Sequence, residues 1–302
     1  MVIMSKVFAI IVTYNGEKWL DRCLGCLASS NVTVNIVAID NASTDGTPDY
    51  IAEHFPYVHL IRSNDNLGFA KANNIGIKYA IDNGADYILL LNQDAWLNGP
   101  DVIGKMIETF RINPSAGIVC PINMNGRNNA LEEEYATDMP GAFVSDMFIN
   151  DVKACYKVKY INAAVWLMSK SCIQTVGGFD TSMFVHYGED NNYCQRVIYH
   201  GFDILIDTTC SACHDTESRT LSKKEYRSRS FKQDDLSKRI EWCNLLYDIN
   251  IDSTINGVVH SIKRMRWTFR FKRANEYTKQ LDFYKRVKKS RDSNKQKGLT
   301  WL

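Results

Sequence analysis

No run of apolar residues in this sequence approaches the roughly 18 that a membrane-spanning helix requires; stretches such as Tyr87–Leu91 are short and pass at once into polar residues. A spanning helix is not expected from that pattern. Met1–Lys6 lacks the long apolar region ending in small residues that marks a secretory signal, and Val7 onward reads as a buried strand instead. The expected location is the cytoplasm. A disulfide framework is missing as well. The nine cysteines are odd in number and scattered, which in a reducing compartment reads as free thiols packed like small hydrophobes. No internal repeat is visible.

What the chain does have is material for a sizeable core: 302 residues, 45% of them hydrophobic, are enough for one large domain or a domain with an appendage. Its net charge of +2 conceals two unlike surfaces. Residues 260–302 carry 14 Lys and Arg against 3 Asp and Glu, a balance of +11, whereas residues 1–259 carry 22 against 31, a balance of −9.

Val7–Val12 is a continuous apolar run ending at Thr13-Tyr14-Asn15, the pattern of a strand buried on both faces. Trp19, Leu20, Cys23, Leu24 and Leu27 then recur with helical spacing, and Val34–Ile39 is a second apolar run that ends on Asp40. The alternation continues with Thr47–Phe55 as helix, Val58–Ile61 as strand, Ala70–Asn83 as helix, Tyr87–Leu91 as strand and Asp101–Phe110 as helix. This predicts an α/β fold built on a parallel, doubly wound sheet. Beyond residue 121 the pattern loosens. Asn123–Asn129 reads as an exposed loop, Tyr160–Met168 as a strand, Ile204–Ile206 as another, and Lys223–Tyr247 as a long polar helix, while a helix is expected to start near Glu189.

Such sheets bind ligands at the carboxyl ends of their strands, and the polar residues gather there: Thr13 and Asn15, Asp40 and Asn41, Asn64 and Asn66, Asn92–Asp94. Asp94 follows Ile88–Leu91 directly. A hard divalent ion beside a diphosphate needs only one or two protein carboxylates, because phosphate oxygens and water complete its octahedron. Taken alone, Asp94 is equally an ordinary turn residue after a strand. Asp40 can accept the imide N–H of a uracil or thymine ring. Asp45 and Thr47 read as turn and cap residues, with Thr47 or Ser43 able to cap the following helix. Asn66-Leu67-Gly68-Phe69-Ala70 precedes a helix whose backbone can approach a ligand closely.

The order Val12-Thr13-Tyr14-Asn15, Asp40-Asn41-Ala42-Ser43-Thr44-Asp45-Gly46-Thr47, Asn66-Leu67-Gly68-Phe69-Ala70, Asn92-Gln93-Asp94, Gly177-Gly178-Phe179-Asp180 and Glu189-Asp190 resembles family-2 glycosyltransferases, and more narrowly their rhamnosyltransferase-like branch. The match covers roughly residues 6–220, and several motifs in fixed order are far more specific than one. The resemblance implies a GT-A fold, a nucleoside-diphosphate sugar donor of the dTDP or UDP type such as dTDP-rhamnose, a glycan or lipid-linked glycan acceptor, a role in polysaccharide biosynthesis, and a Mg or Mn ion. It places the donor against Thr13, Tyr14, Asn15, Asp40, Asn66, Gly68, Lys71, Asn92 and Gln93, the metal on Asp94 and His214, and catalysis on Asp190 as general base with Glu189 beside it. Glu189 and Trp166 are the expected acceptor contacts, although a Trp in an apolar run is more often core. Many relatives have two aspartates around the metal; this chain has Asn92 at the first position. The implied division is a catalytic domain over residues 1–220, with a donor half (1–121) and an acceptor half (122–220), followed by a helical basic region over 221–302.

The chemistry can also be stated without the resemblance. Inverting sugar transfer needs a carboxylate to take the acceptor hydroxyl's proton and a cation to offset charge on the departing diphosphate. Glu189-Asp190 near a helix start would be held ionised by the helix dipole, although acids there are common stabilising residues too. Cys210-Ser211-Ala212-Cys213-His214 reads as a c-type haem attachment sequence, rejected here because it falls inside a nucleotide-binding domain with no signal segment. Cys23 and Cys26 lie on a helix with apolar neighbours, which favours packing over zinc. The basic tail, with its aromatic residues, suits an anionic membrane surface on the inner face of the cell membrane; a solvated helical extension or a dimer contact fits equally, and nucleic acid is not an expected partner. The contrasting classes are a nucleotide-sugar-binding protein whose catalysis has lapsed, and a nucleic-acid- or membrane-binding protein acting through the tail.

Overall fold

The run Val7–Thr13 forms β1, and its side chains alternate between two cores. Val7, Ala9 and Ile11 join one apolar cluster and Phe8 and Ile10 join the other, as the two-residue period of a strand dictates. A computed structural model describes residues 5–185, 187–219 and 235–302. On one face, Leu20, Cys23, Leu24 and Leu27 of α1 (Leu20–Ala28) cover the sheet. On the other lies α3 (Gly68–Asp82), which follows β2 (Val34–Asp40), α2 (Thr47–His54) and β3 (His59–Arg62). Gly76 lets α3 come close: a Cβ there would stand 2.3 Å from Cγ2 of Ile10 and 2.8 Å from Cδ1 of Ile39. Each fully buried Leu or Ile in these layers contributes about 1.5–3 kcal/mol of transfer free energy.

β4 (Tyr87–Leu91), β5 (Ala95–Leu97), α4 (Val102–Ile112) and the long β6 (Ala116–Asn125) come next. The segment after β6 folds into α5 (Glu133–Asp138), α6 (Gly141–Phe148) and β7 (Cys155–Val158). β8 (Val165–Ser169), α7 (Lys170–Val176), α8 (Glu189–Tyr199) and β9 (Asp203–His214) complete the layer. One nine-stranded sheet results, in the order β3-β2-β1-β4-β8-β6-β9-β5 with β7 also paired to β9.

The first four strands in that order are parallel, as the alternating helices require. β8 then enters antiparallel to both β4 and β6, so the sheet is mixed beyond β4. The reversal has a local cause. β7, antiparallel to β9, runs toward the amino ends of the parallel strands, and residues 159–164 return the chain to the carboxyl end of β4, where Val165 pairs with Leu91, so β8 runs away from that edge. The stretch Asn123–Asn129 departs from its expectation, because β6 extends through Asn125 and Asn123 is wholly buried. β9 likewise continues as one strand to His214. The expected helix over Lys223–Tyr247 lies partly outside the described residues; residues 235–243 are helical and Tyr247 falls in a turn.

The C-terminal region is two long helices, α9 (Ile251–Trp267) and α10 (Phe271–Asn294). Cys243, Ile251, Phe283 and Val287 share an apolar cluster with Met183 and Phe184. Asp180, wholly buried, accepts hydrogen bonds from Oγ of Ser290 at 2.5 Å and Nδ2 of Asn294 at 3.0 Å. The last residues continue the attachment: Gly178 N donates to Thr300 O and Asn74 Nδ2 to Trp301 O. Gly177 is required at this seam, since its φ is +80° and a Cβ would stand 2.2 Å from Thr300 O.

Candidate active site

β1 and β2 end side by side, Thr13 paired with Asp40. The Asp40 carboxylate accepts from Thr13 Oγ1 at 3.1 Å, from Ser43 Oγ at 2.5 Å and from Ser43 N at 3.1 Å. Oδ1 takes two of these bonds and Oδ2 one, which leaves Oδ2 a lone pair for an outside donor. Asn15, at a φ of 48°, closes the cluster by receiving Thr44 N on its Oδ1 at 2.8 Å. Ser43 therefore serves Asp40 rather than capping α2, and Thr47 Oγ1 receives Gly16 N; the N-cap is Gly46, with no side-chain cap. The turn reading of Asp45 holds, its Oδ1 accepting from Thr47 N.

Gln93 clasps the Tyr14 backbone from both sides: Tyr14 N donates to Oε1 at 2.9 Å and Nε2 donates to Tyr14 O at 3.1 Å. Its amide is spent on shaping the Tyr14 loop. Asn41 and Asn66 join the end of β2 to the start of α3 through a 3.0 Å bond between their amides, with Leu67 N and Gly68 N donating into the same pair. Lys71 is exposed on the first turn of α3.

Beyond β4 the pairing of Ala95 with His214, and of Asn125 with His214, carries residues 92–94 to the end of β9. Asp94 Oδ1 lies 3.6 Å from His214 Nε2, and Asn92 Nδ2 is 3.4 Å from the same nitrogen. Arg219 completes the group: Nε reaches Asp94 Oδ2, and Nη2 lies 3.1 Å from Asp94 Oδ1 and 2.7 Å from His214 Nε2. The ring's other nitrogen, Nδ1, is buried with no hydrogen-bond partner. Burial opposes ionisation of Asp94, but His214 and Arg219 outweigh it and hold the carboxyl well below the usual range. Asp94 and His214 thus meet at one point, which the Arg219 guanidinium faces. Among the described residues no group of three or more His, Cys, Asp or Glu side chains could hold a metal, so a divalent ion here would have Asp94 and His214 and take its remaining oxygens from elsewhere. The donor set fits that arrangement.

The third cluster is acidic. α8 starts after Gly188, whose φ is +80°. Asp190 Oδ2 accepts from Tyr160 OH at 3.0 Å and Oδ1 from Asn191 N at 2.7 Å. Burial raises its pKa, and burial with the neighbouring Asp190 charge pushes Glu189 up to about 7. Glu189 Oε2 is buried without a partner. Asp138, at the end of α5, is raised to about 6 by burial and then by Asp190. The helix dipole favours ionisation of these acids, but their burial opposes it and raises both pKa values.

Residues 8–176 match the family described as glycosyl transferase family 2. The chain belongs to glycosyl transferase family 2. Among relatives of this glycosyltransferase, the dTDP-rhamnosyl transferase RfbF of Shigella flexneri is 28% identical over 203 residues, 67% of this chain and 66% of that protein, so the match spans just under two thirds of the relative's length. The N-acetylglucosaminyl-diphospho-decaprenol L-rhamnosyltransferase of Mycobacterium tuberculosis is 27% identical, covering 64% of this chain and 71% of its own. In structure it is similar to the mannosyltransferase PcManGT of Pyrobaculum calidifontis, solved with GDP-Man and Mn2+, with a TM-score of 0.57 and 14% identity over 97% of this chain and 88% of that one. The fold is GT-A, as the resemblance implied, and the sequence is rhamnosyltransferase-like.

Within this glycosyltransferase, Trp166 is not where an acceptor contact must be. It is wholly buried between Phe179 and Tyr193, so β8 turns it into the core and the core alternative holds. Sequence reasoning missed Arg219, Asp138 and Tyr160. Arg219 lies five residues beyond His214 with no motif to mark it, and Asp138 lies in the least regular stretch of the chain.

Proposed function

We propose that this chain transfers a sugar, with inversion at the anomeric carbon, from a dTDP- or UDP-sugar to a glycan or lipid-linked glycan in polysaccharide biosynthesis. The Shigella and Mycobacterium relatives favour dTDP-rhamnose. The observation that carries the reading is the meeting of Asp94, His214 and Arg219 at the strand ends, in a chain that also buries a pair of acids at the start of α8.

Asp40 offers its spare lone pair on Oδ2 to a pyrimidine imide, with Thr13, Tyr14 and Asn15 around it. Asn66, Gly68, Lys71, Asn92 and Gln93 complete the donor side, Gln93 through the Tyr14 backbone. A Mg or Mn ion held by Asp94 and His214 would neutralise charge on the diphosphate. Arg219 swings from Asp94 to the leaving oxygens as that charge develops. Asp190 removes the proton from the acceptor hydroxyl, the hydroxyl oxygen bonds to the anomeric carbon, and the bond from that carbon to the phosphate oxygen breaks to release the nucleoside diphosphate. Glu189, beside the base, orients the acceptor. Residues 1–121 act as the donor half, 122–220 as the acceptor half, and 221–302 as the membrane-facing extension.

The deciding measurement is nucleoside-diphosphate release from UDP, dTDP and GDP sugars, with and without Mn or Mg, in wild type and Asp190→Asn. Metal-dependent turnover of one donor, lost in the variant, supports the reading and names the sugar. Absence of metal-dependent binding of every donor overturns it.

A further inference from the structure

The turn between α9 and α10 exposes what a folded chain ordinarily hides. Trp267 is 75% exposed, Phe269 81% and Phe271 57%. Phe269 sits at a φ of 55°, a backbone region that bulky L residues avoid because Cβ crowds the following carbonyl. The turn is nonetheless well made: Thr268 N donates to Arg264 O, Phe269 N to Arg266 O and Arg270 N to Met265 O. Phe269 and Phe271 meet edge to face with ring centroids 6.1 Å apart. The conformation therefore holds three rings outward, uncovered by any of the described residues. Residues 260–275 hold six Lys and Arg and no Asp or Glu.

We propose that this turn docks on an anionic bilayer, Trp267, Phe269 and Phe271 entering the headgroup region while Arg264, Arg270, Lys272 and Arg273 engage lipid phosphates. Aromatic rings gain most where one side is apolar and the other wet, and a basic surface is drawn to a negatively charged leaflet. Single-stranded nucleic acid would also accept charge and rings, but it is held in grooves that track its backbone; here the rings crown the convex end of a helical hairpin.

The other end of α10 is fixed to the catalytic domain by the bonds of Ser290 and Asn294 to Asp180. At ~1.5 Å of rise per residue, the span from Phe271 to Ser290 sets the tip about 28 Å from that anchor. Docking would hold the acceptor half at a set height over the surface, which suits a lipid-linked acceptor. That purpose rests on the proposed transferase function, but the docking is measurable without donor or acceptor.

The test is co-sedimentation of the full chain with vesicles of phosphatidylcholine alone and of phosphatidylcholine with phosphatidylglycerol. Wild type is compared with the triple variant Trp267→Ser, Phe269→Ser, Phe271→Ser, whose exposed positions leave the core intact. Expected are retention by the anionic vesicles only, at least ~tenfold weaker retention of the variant, and turnover of donor with a soluble acceptor unchanged in it. Quenching of wild-type fluorescence by brominated lipids, reduced in Trp267→Phe, places the ring in the bilayer. Equal retention of wild type and variant, or no retention of wild type, overturns the proposal. So does binding to single-stranded RNA that the same variant loses while vesicles retain neither protein. Vesicle binding with no donor turned over would instead count against the transferase reading and leave the docking tip standing.

Discussion

Arg219 spans the Asp94 carboxylate with two nitrogens, and the second of them, Nη2, also lies 2.7 Å from the ring of His214. The side chain therefore competes for the atoms that a divalent ion would use.

Arg219→Ala should bind Mn2+ more tightly than wild type in the absence of donor, while kcat/KM for the donor falls about 10–100-fold through loss of a charged contact to the leaving diphosphate. Calorimetric Mn2+ titration and steady-state kinetics read the two effects separately. Unchanged Mn2+ affinity would show that the guanidinium and the ion occupy different places.

The rate should rise with pH. Asp190 must be ionised to take a proton, and burial raises its pKa, so the active form grows as pH increases; Glu189, raised to about 7, titrates beside it. Glu189→Gln removes the adjacent charge and should move the rising limb of kcat/KM to lower pH. A pH–rate profile in which that limb stays in place would separate the two acids.

Stability carries the opposite sign. The folded pKa of Glu189, about 7, stands above its ordinary 4.5, so the protonated form is favoured by folding. The stability this contributes is full below pH 4.5 and lost as pH rises through about 7. Glu189→Gln should thus stabilise the protein by on the order of 3 kcal/mol near pH 8, fading toward pH 5, in urea unfolding at both pH values.

Ser290→Ala withdraws one donor from the wholly buried Asp180 carboxylate. A loss of about 1–3 kcal/mol is expected, measured by denaturant unfolding. Gly177→Ala should cost at least as much, because a Cβ there meets the Thr300 carbonyl.

The alternating strands and helices up to β4 were legible because their information is local. Apolar runs closing on Thr13, Asp40 and Asn92 place those residues at the carboxyl edge once the sheet is parallel, and the pairing of Thr13 with Asp40 follows. Beyond residue 121 the strand ending near Met168, the helix start at Glu189 and the strand through Ile204–Ile206 were legible as elements, but their arrangement was not, because β8 runs against its neighbours and α5 and α6 carry no strong period. Asp94 and His214 were found by resemblance, but Arg219 between them depends on a contact 125 residues apart. A helix start is visible in a sequence, whereas the burial that raises the pKa of Glu189 and Asp190 is not.

The pairing of β5 with β9 joins Ala95 to His214, and a contact so distant along the chain must overcome a large loop-closure entropy before it is rewarded. β1, β2 and β4 need only the first part of the chain to assemble, so the edge proposed to face the nucleotide can exist in a nascent or partly unravelled molecule. The pairing of Asp94 with His214 cannot: it appears only when β9 is laid down. On the proposed function, an incomplete molecule would therefore hold a pyrimidine without being able to break the bond to its sugar, which would guard against waste of donor before the chain is fully folded.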